Sequence, residues 1–327
     1  WGAEIATDYH DRTTIRTFSF VMYAIGALFS TVLPTTVLDK FGGAGMDEGA
    51  SWLLTTVILA AVSAGSILFT GAAIREEPPA KTKPLGRFSL KTLAIDYLQA
   101  LKLRPLRLLV YAVFAYLIAN TLVAADRMYV FTFRLGYSGS TISWIMLVAG
   151  LSGVVLAAPM LKLAKRFDKR TMLVVCLGVC GCLVLIMRFV GISNLPQLIC
   201  FLFIFVVAST AYWQLIPATF YDICEVDEYE NHVKRAGTIT SILPVAEAIA
   251  SAVGMQILGF WLQFRGFESG AAEQSPAALD AILDCLTVVP GIALILAAIA
   301  MFRFPITKEK FAAIKQALDA REASEKA

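Results

Sequence analysis

The chain has 327 residues, of which 58% are hydrophobic and 16% charged, and its net charge is +3. The charged share falls well below the quarter or so usual for domains in water, and with a mean hydropathy of +0.70 it excludes an ordinary water-soluble globule and predicts an all-α polytopic membrane protein. The small net charge, with no basic run flanked by aromatic stacking platforms, speaks against a nucleic-acid partner. Six cysteines (176, 180, 182, 200, 224 and 285) fall in or beside apolar runs without CxxC pairs, and His10 and His232 lie far apart, so no metal site is expected.

Eight apolar runs read as spans in chain order. They are 18–38, 51–74, 108–125 with a possible continuation to Phe133, 135–161, 171–191, 197–220, 237–264 and 283–304. If residues 1–16 face the cytoplasm, so do 75–107, 162–170, 221–237 and 303–327. These inner segments hold 23 of the 28 Lys and Arg residues, against 3 (Lys40, Arg134 and Arg265) on the opposite side. That asymmetry is the positive-inside signature, and it predicts a cytoplasmic carboxy terminus.

The stretch "FYDICEVDEYENHVKRAGT", 220–238, gathers acids and bases between two spans and reads as an inner loop. The longest loop begins with the Pro-rich linker "REEPPAKTKP". Leu90, Leu93, Ala94, Tyr97, Leu98 and Leu101 then follow helical spacing, which predicts an amphipathic helix at the membrane surface or against the bundle. "TDYHDRTTIR", 7–16, weakly echoes "DEYENHVKR", 227–235, and each echo is followed by a span, an outer loop and a second span. This is the pattern of two parallel six-helix halves. It divides the chain into 1–75 (the end of a first half), a central loop 76–104, a six-span half 105–304 and a tail 305–327, and it predicts about four further helices upstream of Trp1, making twelve in all.

Charges at bilayer depth are costly and tend to face cavities. Asp126 and Arg127 follow 18 uncharged residues. If the helix continues to Phe133 they lie in its outer half, where Arg127 suits an anionic or hydroxyl-rich solute and Asn120 shares its face; otherwise the span ends there. Glu247, about ten residues into its span, is a candidate coupling group. Arg188, near the outer end of its span, is expected to reach the interface.

"GAEIATDYHDRT", 2–13, resembles the loop between the fourth and fifth helices of the glycoside–pentoside–hexuronide:cation symporters, the melibiose permease family of the major facilitator superfamily. "DICEVDEYENHVKR", 222–235, resembles that family's loop between the tenth and eleventh helices. "KRFDKR", 165–170, is similar to the superfamily's basic loop between the eighth and ninth, and "LKLRPLRLL", 101–109, to the entry of the seventh. The resemblance runs over essentially the whole chain in order. It implies a major facilitator fold with eight of twelve helices present, and secondary active, alternating-access symport of a sugar-like solute (glycoside, pentoside or hexuronide) driven by Na+ or H+. It also implies a monomer in the bacterial cytoplasmic membrane, no enzymatic activity and no further cofactor. No GxSxG, HExxH or P-loop motif suggests otherwise.

Trp213 falls where the resemblance places a cavity tryptophan, which makes Tyr212, Trp213 and Gln214 the expected solute contacts, with Asn120, Asp126 and Arg127. The chain departs from the family at Ser19–Phe20, where the family has a sugar-binding arginine, and at Glu247–Ala248, where it has a lysine. The family's cation-site carboxylates would lie upstream of Trp1. The acidic and basic inner segments suggest a cytoplasmic gate in which Asp8, Asp11 and Arg12 meet Asp222, Glu225, Glu228, Lys234 and Arg235, with Arg166, Asp168, Lys169 and Arg170 serving likewise. Two other readings compete: a lysophospholipid or other lipid symporter of the same superfamily, and a non-transporting membrane scaffold that needs no polar cavity.

Overall fold

The structure, a computed structural model, describes residues 45–73, 97–137, 139–231, 236–269, 271 and 273–326, with scattered positions between Met22 and Phe41. The described elements are helical: α1 Glu48–Ala73, α2 Arg104–Tyr129 followed by a π-helical turn Val130–Arg134, α3 Gly139–Arg166, α4 Lys169–Val190, α5 Leu195–Asn231, α6 Ala236–Phe264, α7 Pro276–Phe302 and α8 Lys308–Lys326. Seven of them, α1 to α7, are long and apolar enough to cross a membrane. The eighth expected span, 18–38, lies largely outside the described residues, as do most of the amphipathic segment 90–101, the gate residues Asp8, Asp11 and Arg12 on one side, and Lys234 and Arg235 on the other.

Helices are the forced solution here, because lipid offers no partner for a backbone N–H or C=O. The chain divides into two compact units, Trp1–Phe88 with Ser138–Val154, and Ser89–Tyr137 with Val155–Ala327. In the first, α1 leaves Ile67, Leu68 and Phe69 exposed. The second has a packed interior in which α7 lies against α2 and α4, and α2 also packs on α6. Leu106, Leu109, Tyr116 and Leu122 of α2 are fully buried, as are Leu173 and Leu177 of α4 and Leu286 and Leu294 of α7.

At three boundaries the structure either decides an alternative that the sequence left open or departs from the expectation. First, α2 continues without interruption past Asp126 and Arg127 into the π turn, so both charges lie inside a helix. Leu135 N–H bonds to the Val130 carbonyl at 3.0 Å and Tyr137 N–H to the Phe131 carbonyl at 3.0 Å, and Gly136 then turns the chain at φ +62°. Second, the acidic stretch is not a loop through its first twelve residues. α5 runs for 37 residues, about 55 Å at 1.5 Å per residue, against a hydrocarbon core of about 30 Å. Its carboxy-terminal end therefore continues as helix beyond that thickness, because Thr219, Phe220, Ile223, Val226 and Asp227 keep a buried stripe at helical spacing. Third, α7 begins at Pro276, seven residues before the expected span. Ser275 caps it by accepting the Ala278 N–H at 3.2 Å, with Pro276 in the first turn.

Within the second unit α4 and α7 approach closely at two glycines. A Cβ on Gly181 would lie 2.9 Å from Ile295 Cγ1 and 3.0 Å from the Gly291 carbonyl oxygen; one on Gly291 would lie 2.6 Å from Leu185 Cγ. Small residues at a crossing let helices pack by van der Waals contact where lipid supplies no hydrophobic drive. Gly181→Ala is therefore expected to destabilise the protein by about 1–3 kcal/mol, read as a lowered thermal midpoint in detergent. Gly259→Ala, with nothing within 4 Å of its added Cβ, is the neutral comparison.

Candidate substrate site and inner charge cluster

The residues expected to contact solute lie on α2 and α5, and the coupling candidate Glu247 lies on α6. Tyr116 and Tyr212 stack with centroids 3.6 Å apart and planes at 14°, and Trp213 stands edge-on to Tyr212 at 5.2 Å and 89°. Tyr116 and Tyr212 are fully buried, whereas Trp213 is 39% exposed. The Tyr116 hydroxyl is turned toward Ser209 and Trp213, but it makes no hydrogen bond of ordinary geometry, and neither does that of Tyr212. Glu247 of α6 lies close enough to Tyr212 to act on it electrostatically. Aromatic faces suit the apolar side of a sugar ring, and the accessible face here belongs to Trp213, propped by the buried tyrosine pair. Gln214 donates its amide to the Ala157 carbonyl at 3.2 Å, so that nitrogen ties α5 to α3.

On α2, Tyr116, Asn120 and Arg127 recur at intervals of four and seven residues and share one face. Asp126 is turned about 100° away and lies beside Cys285 of α7. Asp126 is fully buried with neither carboxylate oxygen hydrogen-bonded, and Arg127 Nε is likewise without a partner. The two neighbours thus belong to different surroundings, which a reading of adjacent charges did not distinguish. Tyr116 was missed because a tyrosine in an apolar run carries no charge signal; its spacing to Asn120 and Arg127 is the clue that was available.

Where the start of α4 meets the far end of α5, Lys169 Nζ donates to both Asp222 carboxylate oxygens at 3.0 and 2.7 Å. The Arg170 guanidinium bonds to the Phe302 carbonyl and lies over its ring, and Arg166 lies over Phe167. Asp168 is the N-cap residue of α4, without a side-chain cap bond. Lys315 of α8 also reaches the field of Asp222. Glu225 and Glu228 sit on the helical end of α5, where Asp227 accepts from the Asn231 amide at 2.7 Å. The pairs that the structure describes, Lys169–Asp222 among them, join elements of the second unit, namely α4, α5, α7 and α8.

In the last turn of α4, Arg188, expected from the sequence to reach the interface, is instead paired. Its Nε bonds to Asp284 at 2.6 Å and its Nη2 approaches Asp280 at 3.5 Å, while Arg265 approaches Asp284 at 3.9 Å. Both aspartates lie in the early turns of α7; Asp280 precedes the span expected from the sequence, and Asp284 falls at its start. Among the described residues no group of three or more His, Cys, Asp and Glu is arranged to hold a metal ion.

The stacked pair makes a checkable distinction. Tyr116→Phe keeps the ring and removes an unpartnered hydroxyl, so its stability should be within about 1 kcal/mol of the parent. Tyr116→Ala should cost about 3–5 kcal/mol, as for other buried aromatics. Thermal or denaturant unfolding of both variants compares the two.

The family described as MFS/sugar transport protein matches residues 1–308. The chain is 28% identical over 228 residues to the glucuronide carrier protein homolog of Escherichia coli (strain K12), covering 68% of this chain and 49% of that protein. It is 25% identical over 309 residues to the isoprimeverose transporter of Lactiplantibacillus pentosus, covering 93% and 62%. It is 26% identical over 305 residues to the uncharacterized symporter YnaJ of Bacillus subtilis (strain 168), covering 90% and 62%. The chain thus spans about half to three-fifths of the length of these relatives. The match runs over nearly the whole length, and the chain belongs to the MFS/sugar transport protein family, whose members are transporters rather than enzymes.

Proposed function

We propose that the protein is a cation-coupled symporter of a sugar-like solute, working by alternating access with twelve helices in two halves. The observation that carries this reading is the half-exposed Trp213 held over the buried Tyr116–Tyr212 stack, with Glu247 at hand. Sugar-carrying relatives of similar sequence support the solute class: a glucuronide carrier homolog and an isoprimeverose transporter. Trp213 contributes the stacking face. Asn120 and Arg127, on the Tyr116 face of α2, contribute a hydrogen bond and a positive charge that would favour an acidic or hydroxyl-rich solute. Glu247 is the coupling candidate, with Na+ or H+ as the driving ion. Residues 1–16, the inner loops and α8 face the cytoplasm of a bacterial cell, and the protein acts as a monomer.

The Lys169–Asp222 pair gives the inner gate a defined part. It fixes α4 against the helical end of α5, so that the flanking acids and bases move as one body when the inside opens. Across that opening, Asp8, Asp11 and Arg12 are the proposed partners of Glu225, Glu228, Lys234 and Arg235.

The test is counterflow of labelled phenyl glucuronide and isoprimeverose in vesicles containing the full-length protein. Saturable exchange is expected, and Trp213→Ala should raise KM roughly tenfold, equivalent to about 1.4 kcal/mol of binding. No exchange of any glycoside, pentose or uronide would overturn the sugar reading and favour a lipid solute. Normal exchange in Trp213→Ala would remove the aromatic contact. For the gate, Asp222→Lys should disturb the balance between inward- and outward-open forms. Combining it with Lys169→Asp should restore that balance, as measured by accessibility of a single cysteine on the inner face.

A further inference from the structure

We infer that Asp126 is a proton-binding site in the second unit, separate from the solute contacts and from Glu247. This goes beyond the carrier reading above, which leaves the driving ion open and assigns coupling to Glu247. The carboxyl is fully buried, with neither oxygen hydrogen-bonded. An ionised carboxylate in that position would lack both water and a counter-charge, a costly state inside a membrane span. A proton is the smallest partner that removes the cost, and it requires no further ligands. Among the described residues no other acids or histidines converge to hold a metal ion instead.

The surroundings on each packed element agree. From α7, the groups at this level are Cys285, within electrostatic reach of Asp126, and Asp284, whose carboxylate is taken up by Arg188 and Arg265. From α6, Gly254 abuts Thr121. Glu247 lies seven residues before that contact, about 10 Å further in at 1.5 Å per residue, and the buried Trp261 indole lies seven residues beyond it. From α5, Tyr212 meets α2 at Tyr116, ten residues or about 15 Å along the helix from Asp126. Arg127 is adjacent in sequence but turned away, and in the π turn Arg134 donates to the Ile192 carbonyl at 3.0 Å. No cation among the described residues is paired with Asp126.

The π turn begins four residues after Asp126, and the Val130 N–H is shared between the Asp126 and Arg127 carbonyls. Such turns recur at functional sites and mark places where a helix can change register. A shift there would move Asp126 between its dry position and water. The chemistry is one O–H bond: a proton adds to the carboxylate where water reaches it, travels as the neutral acid while buried, and leaves on renewed hydration. No electrons are exchanged.

Infrared difference spectra of the full-length protein in vesicles, exchanged into D2O, test the site without any solute. The wild type at neutral pH should show the carbonyl stretch of a protonated carboxyl, which Asp126→Asn removes and Glu247→Gln leaves in place. Absence of that band from the wild type, or its persistence in Asp126→Asn, would overturn the inference. Because asparagine matches aspartic acid in shape and carries no charge, the thermal midpoint of Asp126→Asn should equal or exceed that of the wild type. A clear fall would mean that a paired, ionised Asp126 supports the fold, and would also overturn it. With phenyl glucuronide as probe, a trapped pH dye gives the protons moved per solute. Asp126→Asn should lower that ratio by about one; an unchanged ratio, or wild-type exchange without proton movement, would overturn the coupling role. Failure of the wild type to exchange any sugar would sink the carrier reading alone and leave the infrared result standing.

Discussion

The closeness of α4 and α7 governs the packing of the second unit. Gly181 and Gly291 face each other with so little space that a single added methyl group on either would meet a neighbour at under 3 Å. In lipid, helices gain little from hiding apolar surface, since the tails are as apolar as the side chains. Association then depends on how many atoms reach contact distance, and two facing glycines bring long stretches of both helices into range. With α7 held there, its Cys285 side reaches α2 beside Asp126, and Asp284 reaches Arg188 of α4.

The same poverty of partners sorts the charges. At the carboxy-terminal end of α4, Arg188, Arg265, Asp280 and Asp284 neutralise one another between α4, α7 and the turn after α6. At its amino-terminal end, Lys169 and Asp222 do so between α4 and α5. These groups sit where water or a counter-charge is available. Between the ends, Asp126 and the Arg127 Nε stand without partners, and Glu247 lies near the aromatic stack. Polar groups kept at that depth despite the cost are where a carrier's work on a solute or an ion is expected. The structure also divides the labour: the Tyr116, Asn120 and Arg127 face of α2 and the buried Asp126 face point to different neighbours.

Much of this was legible from local pattern. Apolar run length located seven helices that the structure describes, because the thickness of a bilayer sets their minimum length. Glu247 stands out as an acid placed among apolar residues, whereas Trp213 is marked by the family resemblance; both lie at the stacked cluster. The errors have local causes. The acidic stretch was read as a loop because charge density masked the helical stripe of Phe220, Ile223 and Val226 beneath it. The start of α7 was placed late because Asp280 interrupts its apolar run, although Ser275–Pro276 is a plain helix-start signal. Arg188 was expected to reach the interface because its partners lie 92 and 96 residues further along the chain.

The sequence by itself determined that the chain is a bundle of membrane helices and which residues carry polar chemistry inside it. Hydrophobic run length and residue type are local quantities, and the bilayer reads them locally. Only the tertiary structure decided that Tyr116 and Tyr212 form one stack, that Asp222 belongs to Lys169 and Arg188 to Asp284, and that Asp126 is left alone beside Cys285. Those outcomes depend on the rotation and spacing of helices far apart in the chain, which no single segment encodes.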